Sequence, residues 1–193
     1  MDKSILELID LAINLFKTKV FFPNARIIRF PIDVRGKKYI SFGTKLTTGR
    51  GCRIESYKFN DTTPKLKIGD SVQINDYVHI SCTKSISIGN NVLIASKVFI
   101  SDNNHGKYSG EEQSNPYEIA INRLISSDDI IIEDNVWIGE NVCVLSGVRI
   151  GANSIIGANS TVTNNIPSNT IAVGNPAKVI KKFNENTDKW EKV

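Results

Sequence analysis

The chain is poor in the residues that usually form disulfides and metal sites. It has three cysteines and two histidines among its 193 residues. Cys52, Cys82 and Cys143 are odd in number and far apart, which is typical neither of a zinc site nor of a secreted disulfide framework. We therefore expect reduced cysteines in a cytoplasmic protein, and no metal site.

The sequence also lacks long apolar runs and a strong charge of one sign. No segment approaches the length of a membrane span, and residues 1–22 lack the ordered basic segment and cleavage site of a secretory signal. The formal net charge is +4, without the dense basic stripe that nucleic-acid binders usually carry. The length is that of a single domain.

A repeat of six residues dominates the sequence. From Ile132 the chain reads IEDNVW, IGENVC, VLSGVR, IGANSI, IGANST and VTNNIP, and the same phase occurs in IGDSVQ and INDYVH from Ile68. This period fits neither an amphipathic helix nor a long alternating strand. Positions one and five are mostly aliphatic. Position four favours residues that tolerate a left-handed backbone, namely Asn135, Asn141, Gly147, Asn153, Asn159 and Asn165. Short strands joined by such turns predict an all-β parallel β-helix with stacked aliphatic columns.

The repeat resembles that of the hexapeptide-repeat acyltransferases from about Ile40 to Lys182. The segment from Val136 to Lys182, ending in GNPAKVIKK, is similar to the C-terminal half of the sugar O-acetyltransferases, and SDNNHGKYSG from Ser101 is similar to a loop of enzymes that acetylate bacterial surface polysaccharides. The resemblance implies a left-handed β-helix, a homotrimer, acetyl-CoA as co-substrate, and a sugar or polysaccharide-precursor hydroxyl as acceptor.

Three segments frame the predicted domain organisation. Residues 1–22 should form a helical cap, because Ser4 and Glu7 make a capping-box pattern ahead of a polar helical stripe. A weak membrane-surface contact of this helix is the alternative. Residues 23–182 should form the β-helix domain, interrupted by a protruding loop at 102–129, and residues 183–193 a C-terminal tail.

His105 is the candidate general base. It lies at the root of the loop, and transfer of an acetyl group to a hydroxyl needs a base to remove the hydroxyl proton. The match to the family's catalytic loop favours it. Asp102 or Asn104 could hold the imidazole tautomer. His79 closes the hexad INDYVH and should be a solvated residue that points away from the core.

The acetyl-CoA residues follow from the resemblance alone. It implies that Trp137 borders the acetyl end of the cofactor and that Ala158 meets the pantetheine arm. Thr163 and Asn164 would lie further along that arm, with Lys178 and Lys181 near the nucleotide phosphates. Asn164 departs from a basic residue often found in the family, and Glu140 from a small one.

Other functions remain open at the level of sequence. An N-acetyltransferase acting on an amino sugar is the alternative enzyme, and a scaffold without acyl transfer is the alternative from another class, since fold does not fix function. The prism-shaped carbonic anhydrases bind zinc through three histidines. This chain has two histidines, so we do not expect that function.

Overall fold

The fold is described by a computed structural model that covers residues 4–59 and 62–193. One helix, two 3₁₀ turns and short strands follow one another along the chain. In chain order they are α1 (Ile5–Phe21), β1 (Ile27–Ile28), β2 (Ile32–Arg35), a 3₁₀ turn (Lys37–Tyr39), β3 (Ile40–Phe42), β4 (Thr47–Thr48), β5 (Cys52–Ser56), β6 (Lys65–Ile68), β7 (Gln73–Ile74), β8 (His79–Cys82), β9 (Ser85–Ile88), β10 (Leu93–Ile94), β11 (Phe99–Ser101), β12 (Asn103–His105), a 3₁₀ turn (Ala120–Asn122), β13 (Ile125–Ser127), β14 (Ile130–Ile132), β15 (Trp137–Ile138), β16 (Cys143–Val144), β17 (Arg149–Ile150), β18 (Ile155–Ile156), β19 (Thr161–Val162), β20 (Thr170–Val173), β21 (Lys178–Asn184) and β22 (Lys189–Lys192).

Three parallel sheets make up the body of the molecule. Sheet A runs in the order β1-β4-β7-β10-β15-β18-β20 and continues antiparallel into β21 and β22, sheet B runs β2-β5-β8-β11-β16-β19, and sheet C runs β3-β6-β9-β14-β17. Successive strands visit A, B and C in turn, and each pairs with the strand one coil further on. This is the β-helix that the six-residue period predicts, with three hexads to a coil.

The aliphatic columns fill the interior. Ile54, Ile80, Ile100 and Val144 stack in register along sheet B, and each is fully buried. Cys52 and Cys82 are buried free thiols and Cys143 is half-buried, as expected for reduced residues of a core or face. Burial raises the pKa of the Cys82 thiol to about 12, so this thiol stays protonated.

Position four of the repeat forms the corners, with one exception. Asn135, Asn141, Asn153 and Asn159 have φ between 56° and 60°, and Gly147 has φ 81°. Among the described residues the prediction is wrong for Asn165, because the φ angle of this residue is not positive. Its side-chain oxygen accepts from the Arg149 N–H at 2.7 Å. The turn that holds Asn165, between β19 and Ile166, has no residue with positive φ, and Asn169, with φ 57°, belongs to the next turn, before β20.

Helix α1 covers the edge strand of the first coil. The capping box of Ser4 and Glu7 is present, and the helix ends at Phe21, inside the segment 1–22 predicted as the helical cap. The Ile28 N–H donates to Thr18 Oγ1 at 2.8 Å, and the Phe30 N–H donates to Asn14 Oδ1 at 2.9 Å. The helix therefore supplies acceptors that a further coil would otherwise provide.

At the other end of sheet A, the segment predicted as a C-terminal tail contains the end of β21 and all of β22. Phe183 and Trp190 pack edge to face across this pair of strands. The proposed domain boundaries stay a prediction. No helix in the described ranges is both long and apolar enough to cross a membrane.

Candidate active site

The predicted loop leaves the β-helix at the corner where sheet B meets sheet C. It begins after β11 and returns at β14, and its two ends pair as the antiparallel hairpin β12–β13. The Asp128 N–H donates to the Asp102 carbonyl at 3.0 Å, and Ser146 Oγ donates to the same carbonyl at 2.8 Å. The root of the loop is therefore closed and fixed to the next coil.

Asp102 anchors this root rather than contacting His105. Its side chain is fully buried, and its carboxylate accepts from the backbone N–H groups of Thr83 and Lys84 at 2.8 Å and of Ser85 at 2.9 Å. A carboxylate that accepts three backbone hydrogen bonds is already satisfied. The hydrogen bonds of Asp102 among the described residues thus lie at the root of the loop, and its assignment to the imidazole stays a prediction.

His105 ends β12 with an exposed side chain. Its Cα partner across the hairpin is Ile125. Asn104 precedes it on the same strand, so the two side chains point to opposite faces. Asn104 lines a surface hollow of about 420 Å³ together with Tyr108 and Ser126, and His105 is not part of that lining. The proposed contact between Asn104 and the imidazole is not seen among the described residues, and the assignment stays a prediction.

The hairpin that carries His105 is held from within the loop. The Tyr108 hydroxyl donates to the His105 carbonyl, and Arg123 donates to the Tyr108 hydroxyl at 3.0 Å. Arg123 also donates to the carbonyls of Pro116 at 3.0 Å and Glu118 at 3.2 Å. The backbone of His105 is thereby positioned while its ring stays accessible. Sequence reasoning missed Arg123, because only the folded loop brings it to Tyr108.

His79 is not the solvated residue that the sequence predicted. Its side chain points outward but is only 33% exposed, and its Nε2 lies 3.0 Å from Glu55 Oε1. The ring packs against Phe99 at 5.3 Å between centroids. Burial acts to raise the pKa of the Glu55 carboxyl, but hydrogen bonds from His79 and Arg53 outweigh it, so the pKa lies below its usual value. His79 is thus part of a hydrogen-bonded cluster with Glu55 and Arg53 on sheet B.

The residues assigned to acetyl-CoA lie on two different edges of the β-helix. Trp137 is 48% exposed on sheet A, and Ala158 lies in the turn between sheets A and B. Thr163 and Asn164 follow β19 at the corner between sheets B and C, the corner that also carries the loop. One chain therefore does not gather all of these residues into one site.

The lysines assigned to the phosphates lie beyond the last coil. Lys178 and Lys181 are on β21, where they pair with Val173 and Ile171 of β20. Lys178 is exposed and Lys181 half-buried.

Gly139 ends the sequence VWIG, which begins at Val136, and lies opposite Ala158. A Cβ at Gly139 would come 2.6 Å from the Ala158 nitrogen. Close stacking of the two turns therefore requires glycine there.

Comparisons with known proteins agree with this architecture. Residues 129–164 match the model of the bacterial transferase hexapeptide family (six repeats). The chain is 44% identical over 185 residues to WbbJ of Escherichia coli K12, a protein provisionally named as a lipopolysaccharide biosynthesis O-acetyl transferase, and the match covers 95% of this chain and 92% of WbbJ.

Solved structures resemble the chain as well. The Bacillus cereus N-acyltransferase AntD, in complex with a dTDP-amino sugar and coenzyme A, superposes with a TM-score of 0.68 at 21% identity, covering 85% of this chain and 83% of AntD. At this identity the likeness concerns the fold alone. A galactoside acetyltransferase in complex with coenzyme A gives a TM-score of 0.50 at 29% identity, covering 80% of this chain and 66% of that enzyme.

Proposed function

The chain belongs to the bacterial hexapeptide-repeat transferases as an acetyl-CoA-dependent O-acetyltransferase, and from this premise we propose that His105 is the general base of the reaction. The acceptor is a hydroxyl of a sugar or polysaccharide precursor. The observation that supports the base assignment is the exposed imidazole on a hairpin whose root and backbone are fixed by Asp102, Tyr108 and Arg123. The family's coil is left-handed, and we propose the same hand here.

The proposed step conserves all atoms and charges. A ring nitrogen of His105 takes the hydroxyl proton as the acceptor oxygen attacks the thioester carbonyl. The tetrahedral intermediate then collapses with cleavage of the carbon–sulfur bond, and the imidazolium returns its proton to the departing thiolate. The products are an O-acetyl ester and free coenzyme A. A protein-held base contributes typically a hundredfold to ten-thousandfold to such a step.

A homotrimer would bring the divided residues together. Loop residues of one chain would then face the sheet A edge of a neighbour, where Trp137 and Ala158 meet the acetyl end and the arm of acetyl-CoA. Thr163, Asn164, Lys178 and Lys181 would line the remaining length of the cofactor. The loop presents apolar side chains that support such an interface, namely Tyr117, Ile119, Ile121 and Leu124, which are 69% to 94% exposed.

We expect a solution mass three times that of the 21.4 kDa chain. Static light scattering coupled to size exclusion, at the protein concentration of the assay, measures this directly. The reason is that a single β-helix exposes the apolar loop and divides its cofactor residues between two edges. A single-chain mass with full activity would show that each chain holds a complete site.

The acceptor class is tested by a screen of sugars, nucleotide sugars and oligosaccharides with acetyl-CoA. We expect thiol release with hydroxyl acceptors that carry no amine, and a product that alkaline hydroxylamine cleaves after removal of acetyl-CoA, because O-acetyl esters react with it and amides do not. Release only with amino sugars, and a hydroxylamine-resistant product, would establish N-acetylation. Absence of transfer to every acceptor would favour a scaffold.

Because acetyl-CoA is the donor, we assign the enzyme to the cytoplasm.

A further inference from the structure

Helix α1 turns its polar side chains toward the β-helix. Asn14 is 3% exposed and Thr18 is fully buried, and both accept from the first coil as described above. Asp10 makes an ion pair with Arg50 of the second coil, and this partner lowers the pKa of the Asp10 carboxyl. The contacts that seat the helix are therefore made by its polar stripe.

The opposite face of α1 is apolar and exposed. Ile5 is 76% exposed, Leu6 78%, Ile9 51%, Phe16 71% and Val20 57%. A helix on the surface of a globular protein ordinarily has the reverse arrangement, with its apolar stripe on the core and its polar face in water. A contiguous apolar surface of this kind indicates an interaction site.

Charge is concentrated at the same end of the molecule. Residues 4–50 contain nine Lys and Arg against three Asp and Glu, whereas residues 51–193 contain fourteen against sixteen. Four exposed cations lie on the first coil and on the turn that leads into the second: Arg26, Lys37, Lys38 and Lys45. The Lys37 ammonium group donates to the Phe21 carbonyl at the end of α1 and lies 4.7 Å from the centroid of the Phe22 ring.

We propose that this end of the molecule binds an anionic phospholipid surface, with the outward face of α1 lying in the plane of the bilayer interface. Apolar residues would enter the boundary between headgroups and acyl chains, and the basic first coil would face the lipid phosphates. Few cations lie on the polar stripe of the helix itself, so the positive charge comes from the adjoining coil. A second copy is a poorer occupant, because pairing two such ends would oppose like charges.

The site acts independently of acetyl transfer. It holds the β-helix end-on at a membrane, with α1 on the first coil next to the lipid and β21–β22 at the far edge of sheet A. His105 lies on the fourth coil between these ends. The orientation would present the loop to acceptors located at the membrane surface.

Vesicle co-sedimentation of the full chain tests the proposal. We use phosphatidylcholine vesicles with and without phosphatidylglycerol, at low and high salt. We expect binding that requires phosphatidylglycerol and weakens with salt. The double variant Ile9→Glu, Phe16→Glu and the double variant Arg26→Glu, Lys38→Glu should each lower the partition constant at least roughly tenfold. Lys189→Glu with Lys192→Glu, at the far edge of sheet A, is the matched charge control and should bind as the wild type does.

Several results would overturn it. Salt-independent binding would show that the basic first coil does not face lipid phosphates, and equal binding by the Ile9→Glu, Phe16→Glu variant would show that α1 does not meet lipid. A lower solution mass of this variant without vesicles would show that a second copy covers the helix.

Two control measurements accompany the Ile9→Glu, Phe16→Glu variant. Circular dichroism should report an unchanged fold, because both side chains are exposed. Its turnover of acetyl-CoA with a water-soluble acceptor should equal that of the wild type, which separates this test from that of the proposed enzyme function.

Discussion

His105→Ala should retain between about a hundredth and about a ten-thousandth of the wild-type rate of acetyl transfer, because it removes the proposed base. The exposed side chain lies outside the aliphatic columns, so its removal opens no core cavity. Its backbone carbonyl, which accepts from Tyr108, is retained. The loss should therefore fall on kcat, while the KM for acetyl-CoA and the solution mass stay near those of the wild type.

Thiol release with the identified acceptor measures this effect across a range of pH. Lys107→Ala is the matched control, because it removes an exposed side chain from the same loop. A variant that kept more than about a third of the rate, well above the loss of a general base, would contradict the assignment.

His79→Ala is a poor control for the same experiment. The histidine donates to Glu55, whose side chain is only 5% exposed, and Arg53 donates to the same carboxylate at 2.7 Å. Removing one partner of a buried carboxylate costs stability. A lower rate in His79→Ala would therefore report on sheet B as much as on chemistry.

The sequence predicts the fold well because the repeat expresses it locally. Aliphatic positions one and five define the buried columns, and position four defines the corners. The corner conformation is even imposed on residues with no preference for it, since Tyr77 and Lys97 have φ of 58° and 59° at the same position. Asn165 shows the limit of the rule, because the last corner between sheets B and C, from β19 to Ile166, is formed without a left-handed residue.

The surroundings of the site were harder to predict because they depend on contacts between distant segments. Asp102 is next to Asn103 and near His105 in sequence, yet its carboxylate binds residues 83–85 of the preceding coil. The contact of His79 with Glu55 also spans one coil. For α1 the sequence indicates the polar stripe correctly, but the direction in which the stripe points depends on the unpaired N–H groups of β1.

The anchoring role of Asp102 leads to a second large effect. Asp102→Ala leaves the N–H groups of Thr83, Lys84 and Ser85 without their carboxylate acceptor. A buried donor left unpaired costs about 1–3 kcal/mol, and water entering the vacated space would satisfy some of the three. We therefore expect the free energy of unfolding to fall by about 3 kcal/mol. For a chain of this size that corresponds to a Tm lower by about 6–12 °C.

The same substitution should lower kcat while leaving the KM for acetyl-CoA nearly unchanged, because it loosens the hairpin under His105 and touches none of the proposed cofactor residues. Scanning calorimetry and steady-state kinetics measure the two effects. Asp102→Asn keeps one acceptor oxygen, so its free energy of unfolding and its kcat should fall between those of Asp102→Ala and the wild type. This variant preserves the test if Asp102→Ala does not fold.

Asp128→Ala is the matched control at the other end of the loop, where the Asp128 side chain is 74% exposed. Its free energy of unfolding should stay within about 0.5 kcal/mol of the wild-type value. If Asp102→Ala melted and turned over like Asp128→Ala, the carboxylate would have no part in fixing the loop.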